Sequence, residues 1–182
     1  MPAGFAVTSV TFVSADEAFV LRDGGLTYTL NPAPCSGEPG APSVAVTSAT
    51  GLVLLCIGGG YTGHTVKQVY VSDDDGARWA AAGMPSPAGD GGTIAATTTG
   101  DVAIATASAA SWLFHSGDGG ATWQIVSTRF DGGAGWADLG FTTSTDGVVV
   151  HGPADSDGNS TQRPGQLFLT SDGGATWYRV SF

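Results

Sequence analysis

The sequence predicts an all-β protein, a β-propeller of about four blades, and three observations support this prediction. A short phrase of the form Ser/Thr-x-Asp-x-Gly-x-x-Trp recurs along the chain. Its copies are 51, 44 and 54 residues apart, counted between Asp23, Asp74, Asp118 and Asp172, and a four-stranded propeller blade takes about 40–50 residues. Each copy lies between segments rich in aromatic and β-branched residues, which favour strands. No segment has the pattern of a long helix.

Every position of the phrase has a role in closing a β-hairpin. The hydroxyl and the carboxylate can bond turn amides that the strand ladder leaves unpaired. The Gly supplies a positive φ, and the Trp covers the hairpin with a large ring. We therefore interpret these residues as structural rather than catalytic. A degraded copy surrounds Asp23, with Leu21 and Tyr28 in place of the hydroxyl residue and the Trp. The three clear copies contribute Ser72, Asp74, Gly76 and Trp79; Ser116, Asp118, Gly120 and Trp123; and Thr170, Asp172, Gly174 and Trp177.

This phrase resembles the Asp-box, or BNR repeat, which occurs in sialidases, sortilin-type receptors, some xyloglucan-cleaving glycosidases and the photosystem II assembly factor family. The copies at Asp118 and Asp172 match its Ser/Thr-x-Asp-Gly-Gly-x-Thr-Trp form, whereas the copy at Asp74 has Arg78 at the Thr position. The chain is most similar to bacterial BNR-repeat proteins of the photosystem-assembly-factor type and to sialidase-superfamily propellers. The resemblance implies a propeller, but proteins with this repeat have unrelated functions.

The predicted strands follow the repeat in order within a single domain, residues 1–182. Each box lies near the end of its blade, and Gly/Pro-rich segments such as 84–92 separate the blades. The blades span approximately residues 5–34, 42–84, 92–128 and 135–182. Within the last three blades, strands are predicted at 43–46, 52–57 and 68–71; at 93–96, 102–105, 112–115 and 122–126; and at 137–141, 147–151, 166–169 and 176–180.

The first predicted blade is short, with room for three strands, whereas closed propellers usually have about four to eight full blades. Three arrangements follow. The chain is the carboxy-terminal half of a larger propeller, or it pairs with a second copy to close a ring of about eight blades, or it forms a small four-bladed ring. We favour the first two, because an open stack would leave long unpaired strand edges.

Composition argues against several classes of partner. The chain has a net charge of -10, and its 6 Lys and Arg residues are scattered. This disfavours nucleic acids and anionic membranes and favours a neutral or basic partner. No apolar run reaches the roughly 18 residues of a transmembrane helix, and the amino terminus lacks the features of a signal peptide. We expect an extracytoplasmic or secreted protein.

The two cysteines allow one disulfide. Cys35 lies in a Pro-rich loop and Cys56 in a predicted strand. A staple between them would suit an exported protein. The alternative is a buried free Cys56 and an exposed Cys35 without a role.

Two loops contain candidate ligand-binding residues. In the long loop 152–164, Asp155, Asp157 and Asn159 alternate in a way that can present three oxygens to Ca²⁺, although the Gly is misplaced for an EF-hand loop. A solvated polar loop is the alternative. In the Gly-rich loop 58–67, Tyr61, His64 and Lys67 can form part of a binding rim. The alternative there is a flexible loop with incidental polar residues.

We expect a non-enzymatic binding or assembly scaffold with a protein or glycan ligand and no cofactor other than that calcium ion. The alternative is a glycoside hydrolase or sialidase-like domain, or the non-catalytic half of one. An inverting glycosidase needs two carboxylates facing one cleft, and Asp16 and Asp138 are the pair near inner strand positions. The sequence has no arginine cluster or Tyr–Glu pair of the kind that the resemblance to sialidases would require.

Overall fold

Every regular element described in the computed structural model is a β-strand, which confirms the all-β prediction. The structure describes residues 9–12, 17–22, 27–32, 34–35, 38–107, 110–129, 135–152 and 165–181. Among these residues no helix is long and apolar enough to cross a membrane. The described strands are β1 (Ser9–Phe12), β2 (Glu17–Arg22), β3 (Thr27–Pro32), β4 (Ser43–Val46), β5 (Leu52–Tyr61), β6 (His64–Ser72), β7 (Ala80–Ala81), β8 (Asp90–Ala96), β9 (Val102–Ala107), β10 (Ser111–Ser116), β11 (Gln124–Arg129), β12 (Gly135–Phe141), β13 (Gly147–Gly152), β14 (Gln166–Thr170) and β15 (Tyr178–Arg179).

The strands form antiparallel sheets whose spatial order follows the chain. The first sheet has three strands, β1–β3, and the other three have four strands each: blade 2 (β4–β7), blade 3 (β8–β11) and blade 4 (β12–β15). The first strands of blades 3 and 4 each pack on the blade before them, since β8 contacts β4 and β5, and β12 contacts β8 and β9. This side-by-side stacking of first strands is the arrangement of propeller blades around their axis.

Blades 2 and 3 are held together by aliphatic side chains that alternate along the strands. Val53, Leu55 and Ile57 of β5 point toward blade 3, where they pack with Ile104 and Phe114 in one buried cluster. The residues between them on β5 point to the opposite face and are also buried. Because burial of one such side chain stabilises the fold by about 1.5–3 kcal/mol, this cluster is a major part of the core.

Blades 3 and 4 share a second cluster. Leu113 of blade 3 packs there with Trp136, Val149 and Phe168 of blade 4. The rings of Trp136 and Phe168 meet edge to face, with centroids 5.1 Å apart and an interplanar angle of 74°, which is a favoured arrangement of aromatic pairs. Each blade of this pair therefore contributes one face of its sheet to a common core.

The hydroxyl residue of each box is the centre of its turn. In blade 3, Ser116 Oγ accepts hydrogen bonds from the backbone N–H groups of Gly120 (2.8 Å) and Asp118 (3.4 Å), and it donates to Asp118 Oδ1 (2.7 Å). Ser72 and Thr170 make the same three contacts in blades 2 and 4. Because these hydroxyl groups are buried, their bonds satisfy polar groups that water cannot reach.

The aspartate of each box binds the residue that precedes the Trp. Asp118 Oδ1 accepts from the N–H of Thr122 (2.8 Å), and Oδ2 accepts from its hydroxyl (2.6 Å). The bonds from Thr122 and Ser116 lower the pKa of Asp118 from 3.8 to about 2. In blade 2, Arg78 lacks the hydroxyl, so Asp74 receives its N–H (2.8 Å) and lies 3.8 Å from its guanidinium.

Two consecutive residues of each box turn have positive φ, whereas the sequence pattern predicted only the second. In blade 3 these are Gly119 (71°) and Gly120 (94°), and in blade 2 the first of them is Asp75 (60°). The N–H of Gly119 donates to the carbonyl of Gly100 (2.9 Å), in the turn between the first two strands of the same blade. Asp75 and Gly173 donate equivalent bonds of 2.9 Å. The left-handed turn thus ties two loops of one blade together.

The box also links its blade to the preceding one. The carbonyl of Gly120 accepts the indole N–H of Trp123 (2.9 Å), which closes the box. The same carbonyl accepts the N–H of Gly83 from blade 2 (2.7 Å). A side chain at Gly83 would collide with the backbone of Ala121. The fit between blades 2 and 3 therefore depends on this glycine.

Cys35 and Cys56 form a disulfide, with their Cα atoms 5.2 Å apart. Both cysteines are buried in a cluster with Leu54, on the face of blade 2 turned away from blade 3, and Tyr70 and Trp79 pack against it. The bond ties the segment before blade 2 to the centre of its second strand.

We expect Ser116→Ala to lower the free energy of unfolding by about 1–3 kcal/mol, because it leaves the buried N–H of Gly120 without an acceptor. Denaturant unfolding followed by tryptophan fluorescence measures this loss. The matched control is Ser171→Ala, which removes an exposed box hydroxyl. Equal effects of the two substitutions would contradict a central role for the buried hydroxyl.

We expect the double substitution Cys35→Ala/Cys56→Ala to lower the free energy of unfolding by about 3 kcal/mol, because the bond closes a loop of moderate length in the unfolded chain. The cysteines are 21 residues apart in sequence. Denaturant unfolding measures the change, and wild-type protein unfolded with a reductant is the control. A variant as stable as the oxidised wild type would show that the crosslink contributes nothing.

Candidate functional site

The two ends of each blade differ in construction. The boxes and the turns to which they bond lie at one end, whereas the β5–β6 hairpin lies at the other, together with the connection from blade 2 to blade 3. Connections between second and third strands differ in length: two residues between β5 and β6, three between β9 and β10, and thirteen between β13 and β14. The connections at the end opposite the boxes can therefore vary in length without disrupting the blades. Variable loops on a rigid scaffold commonly carry function.

A cavity of about 500 Å³ opens at this end, and we call it the hairpin cleft. Its walls are the tip of the β5–β6 hairpin and the start of β8, and its floor is the glycine run Gly58–Gly60. The cleft includes Tyr61 and His64, two of the three residues that the sequence predicted as a rim. Its other polar lining residues are Thr62, Thr65 and Asp90.

Three rings run from solvent at the hairpin tip toward blade 3. The side chain of Tyr61 is 70% exposed, and its ring centroid lies 5.0 Å from that of His64. The ring of His64 lies 6.2 Å from that of Trp112 on β10. His64 Nδ1 is buried and has no hydrogen-bond partner in the described part of the chain. An exposed aromatic face thus stands beside an imidazole whose hydrogen-bonding capacity is not fully used.

The glycines of the floor bring backbone to the cleft surface. The register between β5 and β6 shifts between Ile57 and Gly60, so the hairpin is irregular beneath its tip. A side chain at Gly60 would collide with the carbonyl of His64, whereas Gly59 faces open space. The hairpin therefore presents Tyr61 above a shallow, unobstructed surface.

Lys67 does not line the cleft, unlike the sequence prediction, but lies buried beneath it. Its ammonium, which has three N–H donors, lies within hydrogen-bond distance of five oxygens: the carbonyl oxygens of Gly89 (2.8 Å), Ala88 (3.1 Å), Pro87 (3.2 Å) and Thr65 (3.1 Å), and the hydroxyl of Thr65 (3.2 Å). A period-two strand pattern cannot show that a loop folds over this position. The role of Lys67 is to bind the connection between blades 2 and 3 to β6.

That connection is also held by Thr65, and it positions an acidic group. The backbone N–H of Thr65 lies 3.1 Å from the carbonyl of Pro87 and 3.2 Å from that of Gly89. Asp90 follows directly and is exposed in the cleft wall. Glu38 lies close by, because a side chain at Gly58 would approach its carboxylate to 2.6 Å. No Lys or Arg is among the lining residues, so the cleft favours neutral or cationic groups.

Asp138 and Asp90, a carboxylate that the sequence analysis missed, each lie at an irregularity of a strand. Asp138 is exposed, has a φ of 51° and lies in an irregularity of β12 between Ala137 and Gly140. Asp90 opens a separate irregularity of β8 that ends at Thr93 and lies further from the box end than that of β12. Both carboxylates therefore lie on the first strands of successive blades. The Gly pair that follows Asp90 is the sequence signal that could have shown this bulge.

Several predicted residues lie outside the described residues. These are the turn at Asp23, the predicted partner Asp16, and the calcium loop with Asp155, Asp157 and Asn159. Among the residues that are described, no three His, Cys, Asp or Glu side chains come close enough to hold a metal ion.

A second repeat escaped the sequence analysis. The turns that receive the box N–H groups each begin with a threonine whose N–H donates across the turn: Thr47 to Gly51 (2.9 Å), Thr97 to Asp101 (2.8 Å) and Thr142 to Asp146 (2.8 Å). These threonines are 50 and 45 residues apart, and one occurs in each of blades 2, 3 and 4. The signal was present as Thr/Ser-rich runs before each second strand, but such composition is common in loops.

No protein-family model and no curated protein matches the sequence. Solved structures do match. The GH74 enzyme of Niastella koreensis is 17% identical with a TM-score of 0.53, over 97% of this chain and 24% of that chain. The fold is that of a β-propeller. The Xanthomonas campestris GH74 xyloglucanase (14%, TM-score 0.45, 97% of this chain and 36% of that one) and YCF48 bound to D1 peptide (14%, 0.45, 96% and 66%) are more distant.

At this level of identity the likeness shows the fold alone. The chain spans about a quarter of the length of the Niastella koreensis enzyme, so the match covers only part of that protein. The predicted partial propeller is consistent with this match.

Burial lowers the pKa of Lys67 from 10.5 to about 8, partly opposed by the charge of Asp90. Between these values the unfolded chain keeps a proton that the folded chain has released, so stability rises with pH across this window. We expect the free energy of unfolding of wild type to rise between about pH 8 and about pH 10, relative to Lys67→Met. Urea unfolding of both proteins at a series of pH values measures this difference in the free energy of unfolding. If the two free energies changed with pH in parallel, the prediction would be wrong.

Proposed function

We propose that this protein is a non-enzymatic binding or assembly scaffold that takes a protein segment or a glycan into the hairpin cleft. The observation that carries the proposal is the 70% exposed ring of Tyr61 beside the half-buried ring of His64. An exposed aromatic ring gains much of its interaction energy when a ligand covers it. In this proposal the ligand contacts Tyr61, His64 and Asp90. Lys67 does not contact the ligand, but it holds the connection that positions Asp90.

The acidic charge at the hairpin cleft indicates which chemical class of ligand it can bind. Asp90 and the nearby Glu38 are acidic, and the whole chain has a net charge of -10. Anionic ligands would meet repulsion at the cleft and over the whole surface. We infer that the ligand presents neutral hydroxyl groups or basic side chains to this site.

The hydrogen bonds of the three described boxes support assignment of the repeat to the Asp-box (BNR) class, and we make that assignment as part of this proposal. The disulfide between Cys35 and Cys56 supports an extracytoplasmic location, because structural disulfides persist in oxidising compartments.

Glycoside hydrolysis is the second candidate, and one observation favours it. Asp90 and Asp138 are exposed carboxylates on the first strands of neighbouring blades, and a non-glycine residue with positive φ such as Asp138 is a feature that concentrates at functional sites. In the scaffold proposal, neutral oligosaccharides are bound and remain intact. Release of reducing ends by wild type that is lost in Asp138→Asn would favour the hydrolase instead.

We expect Tyr61→Ala to weaken ligand binding about tenfold or more, because it removes the exposed ring over which a ligand would pack. The probes are an array of neutral oligosaccharides and an array of peptides with net positive charge, and the measurement is the Kd of wild type and variant for the strongest ligand. Tyr178→Ala is the matched control, since Tyr178 is 53% exposed on the outer strand of blade 4. Equal effects of the two variants on the Kd would show that the ligand does not bind at Tyr61.

A further inference from the structure

The boxes fix which side of each blade faces the following one. Counting back from the box hydroxyl residue along the third strand, the residues one and three positions earlier point toward the next blade. In blade 2 these are Val71 and Val69, which contact the cluster shared with blade 3. In blade 3 the residue three positions earlier is Leu113, which lies in the cluster shared with blade 4.

The same count in blade 4 gives Leu169 and Leu167. They pair directly with Val148 and Val150 of β13, so the four side chains form one aliphatic patch in the centre of the sheet. We call this patch the terminal face. It has the position that a following blade covers in blades 2 and 3.

The terminal face is not covered in the same way as its counterparts. None of its four residues belongs to a hydrophobic cluster formed by described residues, and each is only half-buried. On the opposite side of the same strands, Val149 and Phe168 are 0% and 3% exposed.

The composition of the terminal face is that of an interface. A solvated side of an antiparallel sheet alternates with polar residues, yet both sides of β13 and β14 are apolar at their centres. Its counterparts in blade 2, Val53, Leu55 and Val69, are 0% exposed. A sheet face of four aliphatic side chains is the kind of surface that marks a protein–protein contact.

We propose that a second copy of this chain packs against the terminal face. The face continues the stacking interface that the chain builds between blades 2 and 3 and between blades 3 and 4. Its natural complement is the side of another such blade, and a second copy of this chain can supply one. With a net charge of -10, two copies repel each other over most of their surface, so association is directed to this uncharged patch. The proposal does not depend on the hairpin cleft.

The test is the solution mass of the purified chain, measured by light scattering after size exclusion over a range of protein concentrations. We expect a dimer for wild type and a monomer for Val150→Glu and Leu167→Glu, with unchanged far-ultraviolet circular dichroism. Should these variants fail to fold, Val148→Ala and Leu169→Ala remove apolar contact without adding charge. Each of them is expected to raise the dimer Kd about tenfold or more.

The matched control is Ile125→Glu, an apolar-to-acidic change at a residue that is 48% exposed on the outer strand of blade 3. It is expected to remain dimeric. A monomeric wild type would overturn the proposal, as would a dimer that persists in all four terminal-face variants. Dissociation by Ile125→Glu to the same extent would also overturn it, because the effect would then not be specific to this face.

Discussion

The fold depends on one small group of atoms, the hydroxyl of Ser72, Ser116 or Thr170 at the centre of each box. A turn with two successive left-handed residues leaves N–H groups that no strand can pair. One buried oxygen accepts two of them while donating to the box aspartate. Because the turn is fixed, the register of the third strand relative to the fourth is fixed as well. That register decides which side chains of a blade face each neighbour, and hence how the blades stack.

The opposite end of the blades is organised by burial of a charge. The ammonium of Lys67 is surrounded by carbonyl oxygens of the connection between blades 2 and 3, and each hydrogen bond to a charged group is stronger than a neutral one. Desolvation of the ammonium works against this arrangement. The hydrogen bonds to the ammonium offset this desolvation cost and fix the path of the connection. They therefore also fix the position of Asp90 in the cleft wall. Stability and site geometry are thus coupled through one lysine.

Features that depend on residues close together in sequence could be predicted, whereas features that depend on residues far apart in sequence could not. The boxes and the strands beside them are local, so residue type and spacing at Asp118 or Trp177 were sufficient to predict an all-β propeller. Tyr61 and His64 lie at the tip of the β5–β6 hairpin, and their role as a ligand rim stays a prediction. Lys67 was placed on the rim because its burial is caused by a loop about 20 residues away in sequence. Asp90 was missed because the glycines that follow it were interpreted as part of the connection between blades rather than as a bulge in β8.

The unequal lengths of the connections between second and third strands have a consequence for how such a protein changes over evolution. At the box end, an inserted residue would break the bond between two turns of a blade, and the first connections of blades 2, 3 and 4 all have five residues. At the cleft end, the connection between second and third strands grows from two residues to thirteen, while the pairing beside the box stays the same. Loops of new length can therefore be added at the cleft end while the box end keeps the blade architecture. Binding specificity can thus change without a change of fold.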